Sequence, residues 1–393
     1  MTSRWGILAL IMAAQTTANI GPLGLPSIAP LIRESLGLSV AQAGSFVSAY
    51  YIGPVVMSLP AGWLADRWGV RTAMALGQAL IALGLLAAAA SPSFSLLLAV
   101  MVLAGAGYGV LNPTTTKAGM AWFPPRQRAT VVGLKQVGLP FGGAVGALSM
   151  PPLALAFGWR TAVAFSAVAV ALMAALTWGI YRDLPEPATA GTVAGAPRLV
   201  DVLMNRDLWL VAGSTLVFAG VQTVFLSFLV LYLREAVLIP LTTAAKYLVV
   251  AQASGVAGRV VFGLLSDRLF GGRRRVVLII AGLGSGACAL LIAGTGQGAG
   301  PLLLVPLALG IGFFGVGWNG VQHTLLAELA GPRGAGTAVG LGLAVSSLGV
   351  TVCPPTFGLA VEHLGGFGPA WVAVAASILL TLTLLLPVRE RPY

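Results

Sequence analysis

The stretch that decides the fold is Gly62-Trp63-Leu64-Ala65-Asp66-Arg67-Trp68-Gly69-Val70-Arg71. It is a short charged turn between two long apolar runs. A second copy follows at Gly263-Leu264-Leu265-Ser266-Asp267-Arg268-Leu269-Phe270-Gly271-Gly272-Arg273. Gly, Asp and Arg keep their spacing, at 62, 66 and 67 and again at 263, 267 and 268. The second copy has one extra residue before its basic end. A tight charged loop repeated at half-chain distance, in an otherwise apolar sequence, predicts two homologous membrane halves.

Composition points the same way. The chain has 393 residues, of which 58% are hydrophobic and only 8% charged, and its mean hydropathy is +0.94. Soluble domains carry about 25% charged residues, so most of this surface does not face water. A helix crosses a bilayer in about 20 apolar residues. Twelve apolar runs can be drawn, at 5–31, 41–65, 72–90, 94–117, 129–157, 160–181, 208–233, 243–266, 275–294, 300–327, 335–362 and 368–387. Backbone groups in lipid must bond within their own segment, so each run is expected to be helical. The alternating pattern of a membrane β-barrel is absent. The first run is too long for the apolar core of a signal peptide and reads as a span.

The net charge of +11 has two readings. Nucleic-acid binding needs a basic face with base-reading groups, and no stretch offers one. The excess instead follows the positive-inside bias of short loops. With both termini in the cytoplasm, cytoplasmic positions hold 16 basic residues (Arg4, Arg67, Arg71, Lys117, Arg126, Arg128, Arg182, Arg198, Arg206, Arg268, Arg273, Arg274, Arg275, Arg333, Arg389 and Arg391). The opposite face holds four: Arg33, Arg160, Arg234 and Lys246. The expected setting is a cell membrane, the inner membrane of a bacterium.

The longest polar stretch, from Arg182 to Asp207, contains Pro185, Pro187 and Pro197 and reads as a linker. It divides the chain into a six-span bundle over 1–181, a cytoplasmic linker over 182–207 and a second six-span bundle over 208–393. The halves also match elsewhere. Asn112 precedes Gly133 by 21 residues, and Asn319 precedes Gly340 by 21. Between them Pro125-Arg126 matches Pro332-Arg333, again 207 residues on.

On the residues Gly62, Asp66, Arg67, Gly69 and Arg71, with the weaker copy Gly263, Asp267, Arg268 and Arg273, the chain resembles the major facilitator superfamily. The resemblance extends over essentially the whole sequence. It implies an all-α membrane protein, with twelve transmembrane helices in two six-helix bundles and transport by alternating access. It also implies a gating role for the loop residues Asp66, Arg67, Arg71, Asp267 and Arg268. In the family the Asp caps a helix of the other half and pairs with Arg, forming a latch. An exposed ion pair contributes roughly 0–1 kcal/mol and a helix-end charge about as much again, which biases states without freezing them.

Ionisable groups at membrane depth are costly and therefore default to functional candidates. All eleven acidic residues fall at span ends, in loops or in the linker: Glu34, Asp66, Asp183, Glu186, Asp201, Asp207, Glu235, Asp267, Glu328, Glu362 and Glu390. The basic inventory differs, since Lys135, Arg259 and His323 lie within spans. Positive charge without negative charge attracts anions, whereas a carrier of cations would be expected to place Asp or Glu there.

Arg259 stands eight residues before Asp267, about 12 Å along a helix, deep for a side chain snorkelling to the interface. Its guanidinium can grip a carboxylate with two parallel hydrogen bonds. Its setting before Gly263 also resembles the monocarboxylate and oxalate carriers of the superfamily, whose span 8 arginine holds the substrate carboxylate. Lys135, in Gly133-Leu134-Lys135-Gln136-Val137-Gly138, either snorkels or points inward. The glycines at 133, 138, 142, 143 and 146 predict close helix packing there. His323 can carry a proton near neutral pH and is the candidate proton-coupling group; the alternative is a bland hydrogen-bonded histidine. Tyr108, Asn112, Gln222, Asn319 and Gln322 are further substrate-ligand candidates; the first span also carries polar Gln15, Thr16, Thr17 and Asn19, which helix–helix hydrogen bonding explains equally well.

Catalysis has little footing. No nucleotide-binding loop occurs, and Gly105-Ala106-Gly107-Tyr108-Gly109 follows no strand, so it reads as helix packing. Cys288 and Cys353 lie in apolar runs and read as small core residues. No cofactor or metal is expected. The chain is thus expected to be a monomeric secondary carrier of a small organic anion, most of all a carboxylate, coupled to protons. The rival readings are an exporter of hydrophobic drugs and a carrier of inorganic anions.

Overall fold

The computed structural model describes residues 3–124, 127–183 and 204–390; side chains at 58, 59, 62, 66, 128–130, 332, 333, 335 and 336 lie outside the description. So does the central part of the expected linker, residues 184–203. The described residues contain helices and no strand. In order they are α1 (Arg4–Gly24), α2 (Ala29–Leu36), α3 (Val40–Ala90), α4 (Phe94–Trp122), α5 (Arg128–Phe157) and α6 (Trp159–Ile180). There follow α7 (Arg206–Glu235), α8 (Leu241–Leu264), α9 (Arg274–Ala293), α10 (Pro301–Gly317), α11 (Asn319–His363) and α12 (Phe367–Leu385).

Helix starts follow local chemistry. Ser39 accepts from the Gln42 N–H while the Gln42 side chain accepts from the Ser39 N–H, a capping box at the head of α3. Ser3 and Ser93 cap α1 and α4, and Asn205 Oδ1 accepts from the N–H groups of Asp207 and Leu208 at the head of α7. Helix α2 ends on Gly37 at φ +63°, a conformation open to glycine at little cost.

Among the described residues, eleven segments are long and apolar enough to cross a membrane. The expected second span is the part of α3 before Gly69. There the backbone leaves helical geometry (φ +82°, ψ 159°), so that the two expected spans 41–65 and 72–90 run as one kinked helix. Gly331 (φ +71°) makes the same break in α11. The outward faces carry Leu83 at 60%, Leu172 at 63% and Leu380 at 71% exposure. Such a surface suits lipid.

The chain divides into two compact units, Met1–Glu186 with Ile239–Val249, and Pro187–Leu238 with Val250–Tyr393. In the first, α1 packs on α5, and α3 packs on α4 and α6. In the second, α7 packs on α11 and α9 on α12. Glycine sets these distances where backbones touch. A Cβ on Gly142 would stand 2.3 Å from the Thr16 carbonyl oxygen, and one on Gly105 only 1.8 Å from that of Tyr50. The Gly105–Gly109 run is therefore a packing surface. Gly138 and Gly146 likewise meet α1, but Gly133 meets nothing within 4 Å, so the expected packing stripe begins one turn later than its sequence pattern.

Candidate functional site

The most developed polar site lies in the first unit, where α1, α4 and α5 meet. Lys135 does not snorkel: its side chain is buried, with the residue 2% exposed. Its ammonium donates to the Asn112 carbonyl oxygen (2.7 Å), to Asn112 Oδ1 (2.8 Å) and to Thr116 Oγ1 (2.6 Å). Three N–H donors thus meet three acceptors, all of them neutral. The hydrogen bonds are satisfied and the charge is not neutralised by these contacts. An uncompensated ammonium in a low-dielectric interior costs several kcal/mol, by rough estimate, so its retention calls for a use.

The site is braced from α1. Gln15 Nε2 donates to Asn112 Oδ1 (3.2 Å) and to Thr115 Oγ1 (2.8 Å). Asn19 Nδ2 donates to the Gln15 carbonyl (2.7 Å). Gln15 Oε1 and Asn19 Oδ1 are buried with no partner among the described residues. Buried acceptors without donors are uncommon and point to water or a ligand hydroxyl. Asn112 and Lys135, two of the expected ligands, are therefore brought together. Tyr108, a third, packs instead on Tyr50, ring to ring at 5.6 Å.

The second unit repeats half of this arrangement. Asn319 Nδ2 donates to Gln222 Oε1 (2.9 Å). Gln15 and Asn112 are 97 residues apart, as are Gln222 and Asn319, and both members shift by 207 (222 − 15, 319 − 112). The amide pair is thus a structural repeat. The charge is not: the counterpart of Lys135 is Gly342 (135 + 207), and that of Thr116 is His323. Gln322 turns away to α7, donating to the Val211 carbonyl (2.9 Å), Ser214 Oγ (3.3 Å) and Thr215 Oγ1. Arg259 is half-buried on α8, and His323 lies on α11.

The loop motif differs between its copies. After the Gly69 kink, the Asp183 carboxylate accepts from the backbone N–H groups of Val70 (2.8 Å) and Arg71 (3.1 Å), capping the helix that starts there. Arg71 Nε donates to the Trp178 carbonyl (2.6 Å), and its guanidinium lies 4.4 Å from the Trp178 ring centre. Arg67 lies over Trp63 at 5.3 Å. The Asp66 side chain, the expected latch, lies outside the described residues. In the second copy the extra residue is taken up by a π-helical turn, Leu265–Leu269, and by Gly271 and Gly272 at φ +56° and +83°. Asp267 pairs with Arg274, which also reaches Glu328 at 3.2 Å, while Arg268 is exposed.

Glu390 there does what Asp183 does in the first half, accepting from the Arg275 N–H (2.5 Å). These two capping carboxylates escaped the sequence reading, although 183 + 207 = 390 and the repeat spacing marks them. Among the described residues no group of His, Cys, Asp and Glu could hold a metal ion.

Comparison with known proteins agrees with this architecture. An uncharacterised MFS-type transporter of Mycobacterium tuberculosis is 29% identical over 391 residues, covering 99% of this chain and 86% of its own. A probable sulfoacetate transporter of Cupriavidus necator is 26% identical, covering 93% and 89%. The crystal structure of a bacterial homologue of the human lysosomal transporter Spinster superposes with a TM-score of 0.79, at 18% identity, over 99% of this chain and 96% of that one. The family model of the Major Facilitator Superfamily matches residues 6–350. The kinked charged loop, the half-chain repeat and this match agree: the chain belongs to the Major Facilitator Superfamily, a family of membrane carriers and not of enzymes.

Proposed function

We propose that this carrier moves a small organic anion bearing a carboxylate, by alternating access and coupled to protons. The observation that carries the reading is Lys135, buried in the first unit and held, among the described residues, on neutral acceptors. An anion is the ligand that relieves such a charge. The absence of any Asp or Glu from the middle of the expected spans supports the same sign, and so does the relative named as a sulfoacetate transporter. Arg259, with a fork suited to a carboxylate, is the ligand candidate of the second unit. His323 is the proton-coupling candidate, and Asp66, Arg67, Arg71, Asp267 and Arg268 form the gating loops. In this reading the bundles 1–181 and 208–393 are joined by a cytoplasmic linker at 182–207. The monomer sits in a bacterial inner membrane with both termini inside, as the uneven distribution of basic residues supports.

The test is thermal unfolding of the purified protein against mono- and dicarboxylates, sugar acids and lipophilic cations. A ligand present at 100 times its Kd stabilises by about 2.7 kcal/mol. Carboxylates are expected to raise the melting temperature, and Lys135→Met and Arg259→Ala to abolish the rise. A response confined to lipophilic cations would overturn the proposal in favour of a drug exporter.

A further inference from the structure

An open cleft of about 780 Å³ lies in the second unit where α7 and α9 begin and α12 has ended. Its polar lining is Arg206, Asp207, Arg273, Arg275, Arg389 and Glu390. Four arginines against two carboxylates leave a formal charge of +2 (4 − 2). The carboxylates are already engaged. Glu390 accepts from the Arg275 N–H, and Asp207 Oδ2 accepts from the Arg389 N–H at 3.3 Å. Arg275 is committed too, since Nη1 donates to the carbonyls of Leu386 (2.8 Å) and Val388 (2.9 Å). That leaves the guanidinium groups of Arg206, Arg273 and Arg389. All three are exposed, and among the described residues their side chains make no hydrogen bond or ion pair. Burial pushes the Glu390 carboxyl above its ordinary range, against the pull of the Arg275 N–H and charge.

The depth of the cleft indicates what reaches it. The apolar segments Arg206–Glu235 and Arg274–Ala293 start at its rim, and Phe367–Leu385 stops four residues before Arg389. It therefore lies at the edge of the hydrocarbon slab, at the level of lipid headgroups. Guanidinium forks match phosphate oxygens two at a time, and basic pockets between span ends attract anionic headgroups. We propose that this cleft binds a phosphate group, supplied by an anionic phospholipid headgroup or by a free phosphate compound.

Native mass spectrometry of the full chain released from detergent tests this, after incubation with phosphatidylglycerol or phosphatidylcholine. A parallel arm measures thermal unfolding with inorganic phosphate. Retention of phosphatidylglycerol over phosphatidylcholine is expected, with a loss of about fivefold for each of R206Q, R273Q and R389Q. Phosphate protection that disappears in the same variants, without a lipid preference, assigns the site to a free phosphate compound. Each variant removes an exposed side chain, so all three are expected to remain folded and monodisperse. Equal retention of both lipids together with no phosphate effect overturns the proposal, as does wild-type behaviour in all three variants.

Discussion

Lys135 is the residue on which the functional reading turns. Its three acceptors are neutral, so removing the charge removes a burial penalty as well as hydrogen bonds. Its loss relieves the burial penalty of an uncompensated charge, several kcal/mol by rough estimate, and deprives the Asn112 and Thr116 acceptors of a donor, which costs about 1–3 kcal/mol in return. Lys135→Met is therefore expected to melt no lower than the wild type while its uptake falls at least tenfold; a clear drop in melting temperature with intact uptake would make Lys135 a structural residue. His323→Gln is expected to flatten the pH dependence of transport, read as initial rates across pH 5–8, the range where histidine titrates; an unchanged profile removes His323 from the coupling. The sequence could place Lys135 in a span but could not settle its direction. Its partners Asn112 and Thr116 sit on another helix, 23 and 19 residues away, and no periodicity within α5 reports on them. Tyr108 shows the converse: a polar side chain on an expected cavity span meets another tyrosine.

At the scale of helices, glycine spacing and loop caps decide the structure. Gly142→Val would drive a Cβ to within 2.3 Å of the Thr16 carbonyl oxygen, forcing α1 and α5 apart. Overpacking of this kind costs about 1–3 kcal/mol, to be read as a lower melting temperature, whereas Gly133→Val, with nothing within 4 Å, is expected to leave stability unchanged. Asp183→Ala removes the cap on Val70 and Arg71 and is expected to cost about 0.5–2 kcal/mol. The same thermal melts check it; no change would mean that water caps the helix equally well. The loop motif was legible because Gly, Asp and Arg recur at fixed offsets, and its kink falls on Gly69 as a turn requires. Its caps were not, because Asp183 lies more than 110 residues from the N–H groups it meets. Nor did the pattern show that the extra residue of the second copy would turn its loop into a π turn with two left-handed glycines.

At the scale of the whole chain, the duplication explains both what repeats and what does not. The amide pairs Gln15–Asn112 and Gln222–Asn319 and the caps Asp183 and Glu390 all obey one shift of 207 residues. Such features hold helices together in either half and are kept in both. The ionisable groups break the symmetry, with Lys135 in one half and Arg259 with His323 in the other. A charge needed only to steady a bundle has no reason to differ between halves; one needed to bind cargo and proton does. The most direct measurement is counterflow in proteoliposomes loaded with an unlabelled carboxylate. The account predicts accumulation of the labelled carboxylate by the wild type, lost in both Lys135→Met and Arg259→Ala. Carboxylate counterflow that survives both substitutions, or counterflow of lipophilic cations alone, would contradict it.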